Sequence, residues 1–83
     1  MLLFQLNDPI LKSEYPAETI IYVNEDVPFN DGDLVLAKIN ETYICRYVRR
    51  ANNGYALSHP SLSEIFCSSS EIVGRVVKVA LPA

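Results

Sequence analysis

Between Ile20 and Val48 the chain sets three β-branched or aromatic runs between segments that can only be turns, and this stretch limits the fold more than any other. Thr19–Val23 (TIIYV) is the first run. Leu34–Ile39 is the second, and Tyr43–Arg49 is the third, alternating Tyr43, Cys45 and Tyr47 with Ile44, Arg46 and Val48. Such residues fit a pleated, half-buried surface and are poor material for helices. Asn24–Asp33 packs Asn, Glu, Asp, Pro and Gly together, and its Asp31-Gly32 step is turn chemistry because glycine reaches positive φ without penalty. Asn40-Glu41 leaves room only for a tight corner. The stretch therefore predicts strand, acidic turn, strand, corner and strand.

The flanks predict how this unit is completed. Leu2, Leu3, Phe4 and Leu6 make a short strand that Pro9 ends or confines to a sheet edge, and Pro16 favours an extended lead-in up to Thr19. Asn52-Asn53-Gly54 is the strongest hairpin signal, with Tyr55–Leu57 returning from it. His59-Pro60 through Ser70 reads as a loop anchored by Leu62, Ile65 and Phe66. Ile72–Leu81 is the last strand. Strict alternation divides it into Ile72, Gly74, Val76 and Lys78 against Val73, Arg75, Val77 and Val79. Both sets are largely apolar, so the strand should be covered on both faces, or on one by a partner. No helix of ordinary length, internal repeat or low-complexity tract is visible. The expectation is one all-β domain over residues 20–83, a small twisted sheet with barrel-like closure, preceded by a lead-in or edge segment over residues 1–19.

Size and charge narrow the function. A chain of 83 residues buries only about 60% of its unfolded surface and carries modest stability alone. No apolar run reaches the roughly 18 residues that span a bilayer, and Met-Leu-Leu-Phe lacks the basic flank of a signal peptide. The expected compartment is the cytoplasm, with no membrane partner. Residues 1–33 carry a net charge of −6 and residues 34–83 a net charge of +3, and neither half has the dense basic face that phosphate neutralisation requires. Direct DNA binding is not expected. Cys45 and Cys67 lie 22 positions apart without close ligand pairs, so two buried thiols are expected rather than a metal site. No cofactor motif is present.

Several residues invite sharper readings. Asp31 and Asp33 flank a glycine, but an EF-hand loop needs further oxygens and a distal glutamate at set spacing. His59, the single histidine, sits beside a proline without a second ligand motif and reads as a surface residue. Ser68-Ser69-Ser70 has no adjacent group to activate a nucleophile. Arg49-Arg50 reads as a solvated strand tip. Tyr43, Tyr47 and Tyr55 suit core or interface packing better than a nucleic-acid platform beside an acidic first half.

The run Val23-Asn24-Glu25-Asp26-Val27-Pro28-Phe29-Asn30-Asp31-Gly32-Asp33-Leu34-Val35-Leu36 resembles the C-terminal domain of LexA and lambda-type phage repressors. That family carries Gly-Asp-Ser-Met-x-Pro, then Asp-Gly-Asp and a hydrophobic strand. Leu36–Val48 looks like its hairpin that delivers a Lys-Arg pair. Tyr55–Pro60 with Ile72–Val77 resembles its closing Leu…Asn-Pro…Ile-x-Gly-x-Val-Val pattern. The resemblance covers residues 20–80. Self-cleaving members use a serine activated by a neutral lysine. Here the serine slot holds Asp26 and the lysine slot Arg46, whose guanidinium cannot serve as a base. The usual scissile Ala-Gly is absent, and a further hairpin found in longer members is missing. The shortened pattern looks most like temperate-phage repressors that are not removed by self-cleavage.

The resemblance implies a non-enzymatic dimerisation or oligomerisation domain of a transcriptional repressor. DNA would be reached only through a separate N-terminal helix-turn-helix domain, and the partners would be a second copy and an antirepressor protein. Candidate interface residues are Leu2, Phe4, Val73, Val76, Val77 and Val79, with Gly32, Asn53 and Gly54 as structural turns. An Asp26–Arg46 ion pair across the former dyad is a further expectation. Two alternatives stand beside it: a serine peptidase using Ser13 with Lys12 or Lys38, and a stand-alone protein that pairs with repressors and modulates them.

Overall fold

The computed structural model describes residues 1–6, 14–60 and 62–82. Seven strands lie within them: β1 (Leu2–Leu6), β2 (Thr19–Asn24), β3 (Leu34–Ile39), β4 (Thr42–Ala51), β5 (Gly54–His59), β6 (Leu62–Cys67) and β7 (Ile72–Ala80). A 3-10 turn, Ser69–Glu71, precedes β7. All seven strands join one sheet in the order β1-β2-β7-β3-β4-β5-β6, every neighbouring pair antiparallel. The sheet curls into a half-barrel, so the all-β expectation holds. Among the described residues no helix is long and apolar enough to cross a membrane.

The local turns follow from their residues. Asn40 and Glu41 both adopt positive φ (49° and 67°) between the paired residues Ile39 and Thr42, the requirement of a type I′ hairpin. Asparagine tolerates this conformation, whereas glutamate there carries the left-handed penalty of about 1–2 kcal/mol. Glu41→Gly is therefore expected to raise stability by about 1 kcal/mol, because glycine's greater unfolded-state freedom offsets part of the relief. An unchanged or lower urea midpoint for Glu41→Gly would count against that account. At the β4–β5 hairpin Ala51 pairs with Gly54, and Asn53 takes the positive φ of 61°. Gly54 is thus the first residue of β5 rather than the turn glycine. Its lack of a side chain serves a different contact, since a Cβ there would collide with the Cys67 carbonyl oxygen.

The acidic segment before β3 is stitched onto β4. Gly32, at φ 95°, donates its N–H to the Val48 carbonyl at 2.7 Å, and Val48 returns a bond to the Asp33 carbonyl at 2.9 Å. The Asp33 carboxylate accepts the Asn30 N–H (2.8 Å), and the Asp31 carboxylate accepts the Arg50 N–H (2.8 Å). Phe29 reaches the ring of Tyr55 edge-on at 5.2 Å, holding the same segment against the sheet.

Two hydrophobic clusters sit on opposite sides of β3. Leu6, Ile21, Val23, Leu36 and Cys45 form the first, with Phe4, Tyr15, Leu34, Val73, Val76 and Val79 packed around them. Val35, Ala37, Val48, Leu57 and Cys67 form the second, with Phe29, Ile39, Ile44, Tyr55 and Ile72. Val35, Leu36 and Ala37 are consecutive and all fully buried. Successive side chains of a strand point to opposite faces, so β3 serves both clusters. Cys45 and Cys67 are buried in different clusters and are not bridged to each other.

Two sequence expectations fail here. The segment from Leu62 to Cys67 is the edge strand β6 rather than a loop, and Ile65 and Phe66 are exposed rather than anchored in the core. The turn residues Pro60 and Ser68-Ser69-Ser70 bracket the strand, and the run between them pairs with β5. The strict alternation of β7 also fails. Its register slips twice: Tyr22 and Val23 face Lys78 and Val76, and Leu36 and Ala37 face Gly74 and Ile72. Each slip is a bulge that inserts one residue of β7, Val77 and Val73 respectively, and resets which face the next residues meet. Val73, Val76 and Val79 consequently all pack on the first cluster.

Candidate functional site

Arg46 is the least expected polar side chain in the interior. It stands on β4 opposite Val35 with 4% of its surface exposed, and its Nη1 donates to the Cys45 carbonyl at 2.8 Å. Asp26 lies two residues beyond β2 and is exposed. Its N–H donates to the Asn24 side-chain oxygen at 2.9 Å, an Asx turn. The two charges do not form the expected ion pair; the described ion pairs are Lys38–Glu41, Arg49–Glu64, His59–Glu14 and Arg75–Asp33. Asp26 stands exposed in the turn after β2, whereas Arg46 is buried on β4.

The other chemical candidates are occupied structurally. Lys38 lies 3.3 Å from Glu41 and 5.4 Å from the centre of the Tyr43 ring, on the exposed end of β3. Lys12 and Ser13 lie outside the described residues. Asp31 and Asp33 spend their carboxylates on backbone N–H groups, and Arg75 comes within 3.6 Å of Asp33. Ser68 donates from its N–H (3.0 Å) and its hydroxyl (3.2 Å) to Glu71, and its oxygen lies 2.9 Å from that of Ser70. The serine triplet is thus a turn closed on itself, beside an open depression of about 380 Å³ rimmed by Arg50, Asn53, Gly54 and Tyr55.

His59 corrects the surface assignment. It is buried, and its Nε2 lies 2.9 Å from a carboxylate oxygen of Glu14, tying the segment before β2 to the end of β5. Arg49 is not a free tip either. Its Nε and Nη2 donate to both oxygens of Glu64 at 2.7 and 2.8 Å, a bidentate pair reaching from β4 to β6. The pair holds the Glu64 carboxyl below its usual range and lifts the arginine, chiefly through the hydrogen bond. Burial pushes the Cys67 thiol up.

Tyr15 has the clearest titration. Burial first, then the neighbouring Tyr47 charge and hydrogen bond, push its phenol from 10.0 to about 12. The folded protein holds that proton more tightly than the unfolded chain. Its contribution is therefore complete below pH 10 and is lost as pH rises from 10 towards about 12. Tyr15→Phe should remove this alkaline loss. Equal pH slopes for both proteins in urea unfolding above pH 10 would contradict it.

The six interface candidates divide into two groups. Phe4, Val73, Val76 and Val79 come together on the first cluster, half-buried, with Phe4 also 4.7 Å from the Tyr43 ring. Leu2 and Val77 are exposed, Val77 at 44%. β7 is an interior strand, so it offers a face and no edge. The edges are β1 and β6, and the most exposed apolar side chains inside strands are Phe66 (67%) and Leu3 (64%). Leu3 was legible in the apolar run at the start of the chain. Phe66 was hidden by the loop reading of its surroundings. No known family model and no curated protein matches the chain.

Proposed function

We propose that this chain is a non-enzymatic assembly domain, of the kind found at the C-terminus of LexA and lambda-type repressors. The observation that carries the reading is apolar surface left open on a sheet whose own strands are already paired. Leu2, Leu3, Ile65, Phe66, Val77 and Leu81 are large, hydrophobic and exposed. Leu2 and Leu3 on β1 and Ile65 and Phe66 on β6 put large apolar side chains on both edge strands, where a second chain can reach them. The dyad positions support the same reading: Asp26 offers no hydroxyl nucleophile, and Arg46 carries a guanidinium where a base would need an amine.

In this role the domain supplies pairing energy while a separate helix-turn-helix domain reads the operator. Two copies held together match a two-half-site operator by symmetry. Sedimentation equilibrium from micromolar to millimolar concentration tests the reading. A reversible dimer or larger assembly is expected. A strict monomer over that range overturns it.

A further inference from the structure

We propose that β1 is the contact strand: it pairs edge to edge and antiparallel with β1 of a second copy, joining two seven-stranded sheets into one. This rests on the assembly reading and names its surface. Proteins protect exposed strand edges with charges, prolines, bulges or covering segments. β6, the opposite edge, is protected. It carries Glu64 clamped by Arg49, and its pairing with β5 is broken by a register slip between Leu57 and His59. Among the described residues β1 shows no such device. Its sequence Leu-Leu-Phe-Gln-Leu has no charge, proline or glycine, and all five residues pair with β2 in unbroken register from Leu2–Val23 to Leu6–Thr19.

A second copy fits this edge by charge and by shape. An extended backbone is the complement of an unpaired strand edge, and an uncharged strand meets its own copy without repulsion. Full overlap of the five residues centres the twofold axis on Phe4. Leu2 then faces Leu6 of the second copy, Leu3 faces its Gln5, and the two Phe4 rings meet. Directly opposed residues in an antiparallel pair share a face. Phe4 and Leu6 belong to the first cluster, so the pairing continues that cluster from one copy into the other. A single short strand pair is smaller than the roughly 1,200–2,000 Å² of a standard interface, so the contact is reversible and in the micromolar range or weaker.

Leu3 and Gln5 are both exposed and lie on the face away from the first cluster, which makes the register testable without touching the core. The double variant Leu3→Glu with Gln5→Glu sets like charges opposite each other twice across the axis. Leu3→Lys with Gln5→Glu sets opposite charges there instead. In sedimentation equilibrium at low salt the first should associate at least about tenfold more weakly than the natural chain, and the second should associate as well or better. Thermal melts at low concentration verify that both variants are folded. Association unchanged in both variants, or weakened equally in both, overturns β1 pairing while the assembly reading stands. A natural chain that never associates overturns both.

Discussion

Gly74→Val is expected to destabilise the domain by at least about 3 kcal/mol and to leave much of it unfolded at 37 °C. A Cβ at position 74 would lie 2.7 Å from the Asn24 carbonyl oxygen, 3.0 Å from its carbon and 2.8 Å from Cγ1 of Val23. Two of these neighbours are backbone and the third is a fully buried side chain, so none can swing aside. Gly74 sits where β7 packs between β2 and β3, just beside the bulge at Val73. Relief would require β2 to move off β7 and open the first cluster. A domain of this length has about 4–12 kcal/mol of total stability, so the loss is a large share. Gly74→Ala meets the same atoms and should cost less with the same sign. Urea unfolding of both variants is the measurement; Gly74→Ala within about 0.5 kcal/mol of the natural chain would show that the strands yield there.

Leu36→Ala is the second large effect, about 2–5 kcal/mol. Leu36 is fully buried in the first cluster, where β2, β7 and β4 close around it. Truncation loses its transfer energy and leaves a cavity walled by strands that cannot collapse independently. Leu57→Ala in the second cluster should fall in the same range. Because β3 places Leu36 in one cluster and Val35 and Ala37 in the other, both variants should shift a single cooperative transition. Two separate transitions, seen by circular dichroism and by tyrosine fluorescence, would mean that the clusters melt independently.

Local chemistry made much of this molecule readable in advance. The β-branched runs at Thr19–Val23 and Leu34–Ile39, the Asn40-Glu41 corner, the Asp31-Gly32 turn and the final strand stand where residue preferences place them. What failed depended on which segment pairs with which. Leu62–Cys67 pairs with β5 as the second arm of a hairpin, and the turn residues Pro60 and Ser68-Ser69-Ser70 only bracket it. Gly54 is required by the Cys67 backbone rather than by its own φ.

The clearest division lies in β7. Its composition alone determined that it is a strand with apolar residues at nearly every position. Only the tertiary structure decided its place and its facing. The strand returns to the middle of the sheet between β2 and β3, and each neighbour forces out one residue as a bulge, bringing Val73, Val76 and Val79 to one face. Hydrophobic periodicity reports what a strand can bury, whereas register is set by the hydrogen-bonding partners on either side, and those are not encoded within the strand itself.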